Sequence, residues 1–227
     1  MANSAWMRLP SGWIERGDLC EFSWQYRGGG ADNTAALMAL TAIAHNVDPD
    51  NGVSRITYDR LCEITDLSRA KLSKGLYLLK KFKLIEPGPG DARSTYRLSD
   101  YDPARGWAKF PVRSMYSGGR IIAFREFKLR RVIELDALKL FFLFVSRRDQ
   151  RSNCANVGYE KIVEYTGIKR DRIKSAISFL ASLSLVYVEH VPSSVNTYGI
   201  SNAYRIVGID PTVHMGTRGR NIETFDL

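Results

Sequence analysis

The segment YDRLCEITDLSRAKLSKGLYLLKKFKL (residues 58–84) is repeated as YEKIVEYTGIKRDRIKSAISFLASLSL (residues 159–185), 101 positions later and without a gap. The same offset places WMRLP (residues 6–10) on WAKFP (residues 107–111). Downstream, the sequence YRL from Tyr96 is matched by YRI 108 positions later, so the second copy is longer at that point. Ordered matches over most of the chain predict two related units from an internal repeat.

The composition is that of a globular protein. A length of 227 residues suits two domains of about 100 residues each, and 44% of the residues are hydrophobic. No apolar run approaches the ~20 residues that cross a membrane, and no signal peptide is evident at the start of the chain. The three cysteines, Cys20, Cys62 and Cys154, contain no C-x-x-C pair, which indicates reduced thiols and a cytoplasmic location.

The positive charge is unevenly distributed. The formal net charge is +9, yet residues 1–101 hold 13 Lys/Arg against 12 Asp/Glu, a net of +1. Residues 102–202 hold 17 against 9, a net of +8. An excess of this size favours polyanionic partners, of which nucleic acid is the commonest, although it also serves solubility.

Periodicity predicts the same order of elements in each copy. An apolar helix is expected from about Asn33 to Ala44, and a short helix begins near Tyr58 and ends at Thr65. Ser68 offers a side-chain oxygen to cap a second, longer helix. A turn rich in Pro and Gly then leads to a strand-like segment that ends at Leu98.

This order, in RITYDRLCEITDLSRAKLSKGLYLLKKFKLIE and again in the second copy, resembles the winged helix-turn-helix family. The resemblance covers about two thirds of the chain and implies an α+β, mainly helical fold with two tandem winged-helix domains. The Trp-x-Arg/Lys-Leu/Phe-Pro lead-in is similar to segments ahead of winged helices in phage and plasmid replication proteins. The expected parts are an N-terminal lead-in (1–31), a first domain (32–101), a basic connection (102–131), a second domain (132–208) and a C-terminal tail (209–227).

In that family the second helix of the motif enters the major groove and the hairpin wing touches the backbone. Arg and Lys can donate to guanine, while Ser and Tyr hydroxyls suit phosphate. By position, the DNA-binding candidates of the first copy are Ser68, Arg69, Lys71, Ser73, Lys74, Tyr77 and, in the wing, Arg93. Those of the second copy are Lys169, Arg170, Arg172, Lys174, Ser175 and, in the wing, Asn196. The plain alternative is that these are solvated residues on amphipathic helices.

The connection GGRIIAFREFKLRRVIE carries a further basic cluster. Alternation through Ile121 to Phe127 predicts a strand or extended segment packed on one side. Its charges either follow a phosphate backbone between the two domains or form a solvated face. The cluster consists of Arg120, Arg125, Lys128, Arg130 and Arg131. About thirty residues of connection are long enough to let two recognition helices meet major grooves roughly 34 Å apart.

No catalytic pattern is present. The sequence lacks G-x-x-x-x-G-K-S/T, and RGGG at residues 27–30 does not have that spacing. His45, His190 and His214 are far apart and belong to no metal-binding motif. We therefore expect neither an enzyme nor a cofactor.

These observations predict that the protein binds double-stranded DNA in a sequence-specific manner through two recognition helices. The tandem architecture and the lead-in favour a plasmid or phage replication initiator, associated with the nucleoid or a plasmid. A transcription regulator and a protein-binding tandem winged-helix subunit of a chromosome-organising complex remain alternatives. The expected partners are double-stranded DNA and the replication or transcription machinery. Whether the chain also pairs with a second copy of itself is left open, and no membrane association is expected.

Overall fold

The computed structural model describes residues 4–24, 29–89, 94–192 and 200–209. It is an α+β structure with about 48% helix and 21% strand, so the predicted class is confirmed. The wing candidates Arg93 and Asn196 lie outside the described residues.

The N-terminal unit contains the predicted helices. Its elements are β1 (Trp6–Pro10), α1 (Gly12–Glu15), a 3₁₀ helix (Asp18–Glu21), α2 (Gly29–His45), β2 (Val53–Arg55), α3 (Tyr58–Thr65), α4 (Arg69–Lys81), β3 (Ile85–Pro87) and β4 (Thr95–Leu98). Asp66 ends α3 in the left-handed conformation, with φ of 59°. Ser68 caps α4 by accepting a hydrogen bond from the Lys71 amide, as predicted.

The C-terminal unit repeats this order from its long helix onward and differs before it. Its elements are β5 (Trp107–Pro111), a 3₁₀ helix (Arg113–Met115), β6 (Tyr116–Ser117), β7 (Arg120–Ile121), a 3₁₀ helix (Ile122–Glu126), α5 (Val132–Ser146), β8 (Cys154–Ala155), α6 (Tyr159–Thr166), α7 (Arg170–Ser182), β9 (Val186–Pro192) and β10 (Ile200–Ile206). In both units three short antiparallel strands follow the same spatial order, β2-β4-β3 and β8-β10-β9.

The prediction of an extended segment from Ile121 to Phe127 is wrong. Only Arg120–Ile121 is a strand, and Ile122–Glu126 forms a 3₁₀ helix. Ile121, Phe124 and Phe127 are buried, a spacing of three residues. Residues three apart lie on the same side of a 3₁₀ helix, so Ile121, Phe124 and Phe127 all face the core.

The two units are joined by strands that are equivalent in the repeat. β1 pairs antiparallel with β5 in a two-stranded ribbon, with Trp6 opposite Pro111, Arg8 opposite Lys109 and Pro10 opposite Trp107. When each residue is replaced by its counterpart 101 positions away, the same set of pairs results; for example, the Trp6–Pro111 pair becomes the Trp107–Pro10 pair. The two strands are therefore related by a local two-fold axis at the Arg8–Lys109 pair.

Further reciprocal contacts extend this relation beyond the ribbon. The 3₁₀ helix Asp18–Glu21 packs on α6, and β7, its counterpart, packs on α3. The Cys20 thiol lies 3.5 Å from the Glu164 carbonyl oxygen, and Arg60 donates to the Gly119 carbonyl at 3.1 Å. Each unit thus inserts the segment before its long apolar helix against the other unit.

One hydrophobic core runs through both units. α2 and α5 contact each other and are buried on nearly all sides, as expected for helices that are apolar all round. The buried Lys139 of α5 donates from Nζ to the Phe22 carbonyl at 2.8 Å, so a polar bond also crosses the junction. Burial lowers the pKa of Lys139 to about 8. The segment 102–131 supplies β5 and the 3₁₀ helices to this core and is packed against it at many positions.

His45, at the end of α2, is enclosed at the same junction. Its ring centroid lies 4.9 Å from that of Phe110 and 5.5 Å from that of Tyr116. Nδ1 and the Tyr116 hydroxyl are 3.2 Å apart. Burial lowers the pKa of His45 to about 3, because a charged imidazolium would lose its hydration among these rings.

We expect His45 to make the fold acid-sensitive. Its unfolded pKa lies near 6.5, so the unfolded chain takes up the proton first as the pH falls. The free energy of unfolding should therefore decrease between about pH 6.5 and pH 3, by up to ~1.4 kcal/mol per pH unit from this one group. His45→Gln should flatten this slope in urea unfolding at pH 7.5, 6, 5 and 4. The exposed His190→Gln is the matched control, and equal slopes for both variants would contradict the assignment.

Candidate nucleic-acid interface

α4 has one buried and one open face. Leu72, Leu76 and Leu79 are buried against the core. At Gly75 the helix approaches α2 so closely that an added Cβ would lie 3.0 Å from backbone atoms of Ala35. This contact fixes α4 on α2 and leaves the opposite side to solvent. The exposed side consists of Ala70, Lys74, Tyr77 and Lys81.

α7 is held on α5 in the equivalent way. Ile173, Ile177 and Leu180 are buried, and Ala176 stands where α4 has Gly75. The exposed side is different in chemistry, because it carries one acid and three hydroxyls: Asp171, Ser175, Ser178 and Ser182. The first helix thus presents cations and a tyrosine along its length, and the second presents a neutral to acidic stripe.

Both helices begin with the same arrangement of three residues. Arg69 forms an ion pair with Asp59, and its guanidinium carbon lies 5.3 Å from the Tyr58 ring centroid. Its counterpart Arg170 donates to Glu160 at 2.6 Å and lies 5.6 Å from the Tyr159 ring. Both arginines are well exposed. Surface pairs of this kind contribute little to stability, so these guanidinium groups can exchange a carboxylate for a phosphate at small cost.

Two of the residues predicted to contact DNA form ion pairs with buried acids of the core helices. Lys71 Nζ lies 2.7 Å from Asp32 Oδ1 of α2, and that carboxylate is only 5% exposed. Arg172 Nε lies 2.9 Å from Asp136 Oδ2 of α5, whose side chain is 3% exposed. Burial raises the pKa of Asp136, and the charge of Arg172 opposes that shift. Each cation therefore neutralises a buried acid and pins the start of α4 or α7 to the core helix beneath it.

The remaining candidates on the two helices are open to solvent. Lys74 keeps one contact with Asp32, at 3.6 Å, and is 63% exposed. Tyr77 is 65% exposed, a large fraction for an aromatic side chain. Ser73, Lys169, Lys174 and Ser175 are exposed as well. These groups, with Arg69 and Arg170, are the ones that a polyanion can reach without breaking the core.

Part of the basic cluster of the connection is held in place by Glu134, whose side chain is fully buried. Glu134 accepts hydrogen bonds from the Lys128 and Arg130 amides and from Arg131 Nε, the last at 3.2 Å. Arg131 also lies 5.3 Å from the Phe179 ring centroid, so it is held in place. The Lys128 ammonium donates to the Arg125 carbonyl at 2.6 Å. Arg120 lies 3.9 Å from Asp66 across the junction of the units.

A group of cations at the end of α4 was not among the predicted contacts. Lys80, Lys81 and Lys83 are exposed, and Arg97 is exposed on β4, opposite Glu86 of β3. Within the described parts of the chain none of the four forms an ion pair. The signal was the run of three lysines within four residues, which favours a phosphate-facing end over a core position.

The described residues contain no group of three or more His, Cys, Asp or Glu side chains that could hold a metal ion. Over the same ranges no helix combines the length and apolar character that a membrane crossing requires. No protein-family model matches the chain, and no curated protein matches it.

The roles of Lys71 and Arg172 can be measured without DNA. Lys71→Ala or Arg172→Ala leaves a buried carboxylate without its closest partner, and should lower the free energy of unfolding by roughly 1–3 kcal/mol. Lys174→Ala, on the exposed side of α7, should change it by less than about 0.5 kcal/mol. Urea unfolding of the three variants gives the comparison. Equal stability of Lys71→Ala and Lys174→Ala would show that the ion pair with Asp32 does not hold α4.

Proposed function

We propose that the chain is a tandem winged-helix protein that binds double-stranded DNA in a sequence-specific manner and is not an enzyme. The observation that carries this is the pair of helices α4 and α7. Each packs one face on a core helix, opens the other to solvent and begins with an exposed arginine, Arg69 or Arg170. In each unit a hairpin follows, in the position of a wing. Such helices suit the major groove, and such hairpins suit the adjacent backbone.

The local two-fold relation of β1 and β5, together with the reciprocal contacts between the units, narrows the form of the DNA site. If α4 and α7 follow this relation, they bind two half-sites that are inverted with respect to each other, as the recognition helices of dimeric helix-turn-helix proteins do on palindromic operators. The exposed residues of α4 and α7 differ, for example Lys74 against Ser175 and Tyr77 against Ser178. We therefore expect inverted half-sites with different sequences.

Within this class a plasmid or phage replication initiator is the role we favour, because the lead-in strands and the tandem architecture resemble such proteins. A transcription regulator has the same DNA-binding chemistry. Selecting bound sequences from a random duplex pool tests the proposal, and the positions of those sequences separate the two roles. Repeated sites beside the gene for the chain favour an initiator, while a single site overlapping a promoter favours a regulator.

The protein-binding alternative, a tandem winged-helix subunit of a chromosome-organising complex, has a different expectation. Such a protein needs no exposed cations on its long helices, whereas α4 exposes Lys74, Lys80 and Lys81. An absence of duplex binding at 50 mM salt would favour that alternative and would reject the proposal.

Binding should depend strongly on salt and on the exposed face of α4. Six or more phosphate contacts imply a loss of roughly 10³-fold in affinity between 50 and 200 mM salt. Replacing Lys74, Lys80 and Lys81 with Ala should weaken binding and reduce the slope of log affinity against log salt by about 2–3. Replacing Ser175, Ser178 and Ser182 with Ala is the control on α7 and should keep that slope. Fluorescence anisotropy with a selected duplex measures both, and a flat salt response would contradict DNA binding.

Spacing between the half-sites should be fixed, because both units share one core and a paired ribbon. An insertion of 10 base pairs moves one half-site by about 34 Å on the same face of the duplex, farther than a packed junction can follow. Affinity should therefore fall to the level of a duplex with one half-site randomised, both for 5 and for 10 inserted base pairs. Recovery at 10 base pairs would show that the units are tethered rather than fused.

A further inference from the structure

A polar cavity of about 290 Å³ lies where the N-terminal unit meets the end of α5. Its wall includes Ser11 and Glu15 from the N-terminal unit, the first residues of β5, and the end of α5 with the loop that follows. The charged groups on this wall are Glu15, Lys109 and Arg148. The volume lies just below the ~300–1,000 Å³ range of small-molecule sites.

The equivalent space in the other half of the molecule is filled. The repeat offset of 101 makes Tyr116 the counterpart of Glu15, and His45 the counterpart of Ser146. His45 and Tyr116 pack there with their ring centroids 5.5 Å apart, and His45 is 2% exposed. A phenol and an imidazole thus occupy one half, where the other half has a carboxylate and a hydroxyl. The cavity thus lies at the position that corresponds to these two aromatic rings.

The cavity wall also carries cations with spare hydrogen-bonding capacity. Arg148, whose counterpart is the apolar Val47, has a buried Nε without a hydrogen-bond partner among the described residues. Its Nη1 contacts two oxygens, of Asp149 and Asn153, each at a long 3.4 Å. Lys109 Nζ lies 4.8 Å from the Trp6 ring centroid. Arg148 and Lys109 bring two positive charges to this wall, and cations of this kind form the stronger, charge-assisted hydrogen bonds with an anion.

We propose that this cavity binds a free mononucleotide. The base takes the place that Tyr116 and His45 fill in the other half, and its N–H groups donate to the Glu15 carboxylate and the Ser146 hydroxyl. The phosphate accepts hydrogen bonds from Arg148 and Lys109, and charge-assisted bonds of this kind are the stronger class. A ligand with only an aromatic ring and a hydroxyl would leave Arg148 and Lys109 without an anionic partner. A ligand that has a ring and a phosphate provides partners for both cations.

The site is separate from the start of α7. Asp136, which holds Arg172 at the start of α7, and Ser146 on the cavity wall are ten residues apart on α5, or about 15 Å along the helix. The proposal therefore does not rest on DNA binding. Because the wall combines residues of both units, an occupant stabilises their junction.

Isothermal titration of the full chain, without DNA, tests the site with the four 5′-ribonucleoside monophosphates, the matching nucleosides and inorganic phosphate. We expect saturable binding of at least one mononucleotide at 1 mM or below, at least tenfold tighter than its nucleoside and than inorganic phosphate. Arg148→Val, which copies Val47, should weaken nucleotide binding tenfold or more and leave nucleoside binding unchanged. Arg147→Ala, beside it and off the wall, is the matched control and should bind as the native chain does.

The double variant Glu15→Tyr with Ser146→His copies the filled half. It should keep or raise the melting temperature and should abolish nucleotide binding. If it does not fold, Arg148→Val decides the outcome. The proposal is overturned if no mononucleotide binds, if inorganic phosphate binds as tightly as the tightest mononucleotide, or if Arg148→Val binds nucleotide as the native chain does. Failure of duplex binding in separate assays would count only against the proposed function.

Discussion

The antiparallel pairing of β1 with β5 is the constraint on which the arrangement of the molecule depends. Each strand opens one copy of the repeat, and each residue of one pairs with a residue of the other about a single axis at Arg8 and Lys109. The stacked Trp6 and Trp107 rings, with centroids 5.8 Å apart, reinforce this on one face of the ribbon. Because the ribbon ties the two copies together, α2 and α5 can bury their apolar surfaces against each other rather than in two separate cores.

That shared core decides which charges are available at the surface. Asp32 and Asp136 lie on the core helices and are nearly inaccessible, so each needs a cation within reach. Lys71 and Arg172 supply it and thereby orient α4 and α7. The net charge of +9 thus overstates the charge that a polyanion meets, and the exposed cations include those at the helix starts and at the end of α4.

Local elements were predictable because their signals are local. The short helix from Tyr58, the Ser68 cap and the apolar helix after Asn33 each depend on residues a few positions apart. The pairing of β1 with β5 spans a hundred residues and left no local signal, so the lead-in and the connection looked like separate pieces. The partners of Lys71 and Arg172 lie 39 and 36 residues away on another helix, and spacing along the chain does not reveal such pairs.

Two copies related by a local two-fold axis would present the same chemistry twice. Substitutions at equivalent positions make the two copies of this chain different. Lys74 and Tyr77 against Ser175 and Ser178 make the exposed faces of the long helices unequal. His45 against Ser146 makes the two ends of the core unequal, since one is filled by rings and the other encloses a polar cavity. The backbone pairing is kept in both cases, because these side chains lie off the ribbon register. Divergence of this kind can therefore change the exposed chemistry of one long helix, or leave a polar cavity at one junction, without disturbing the core that holds the copies together.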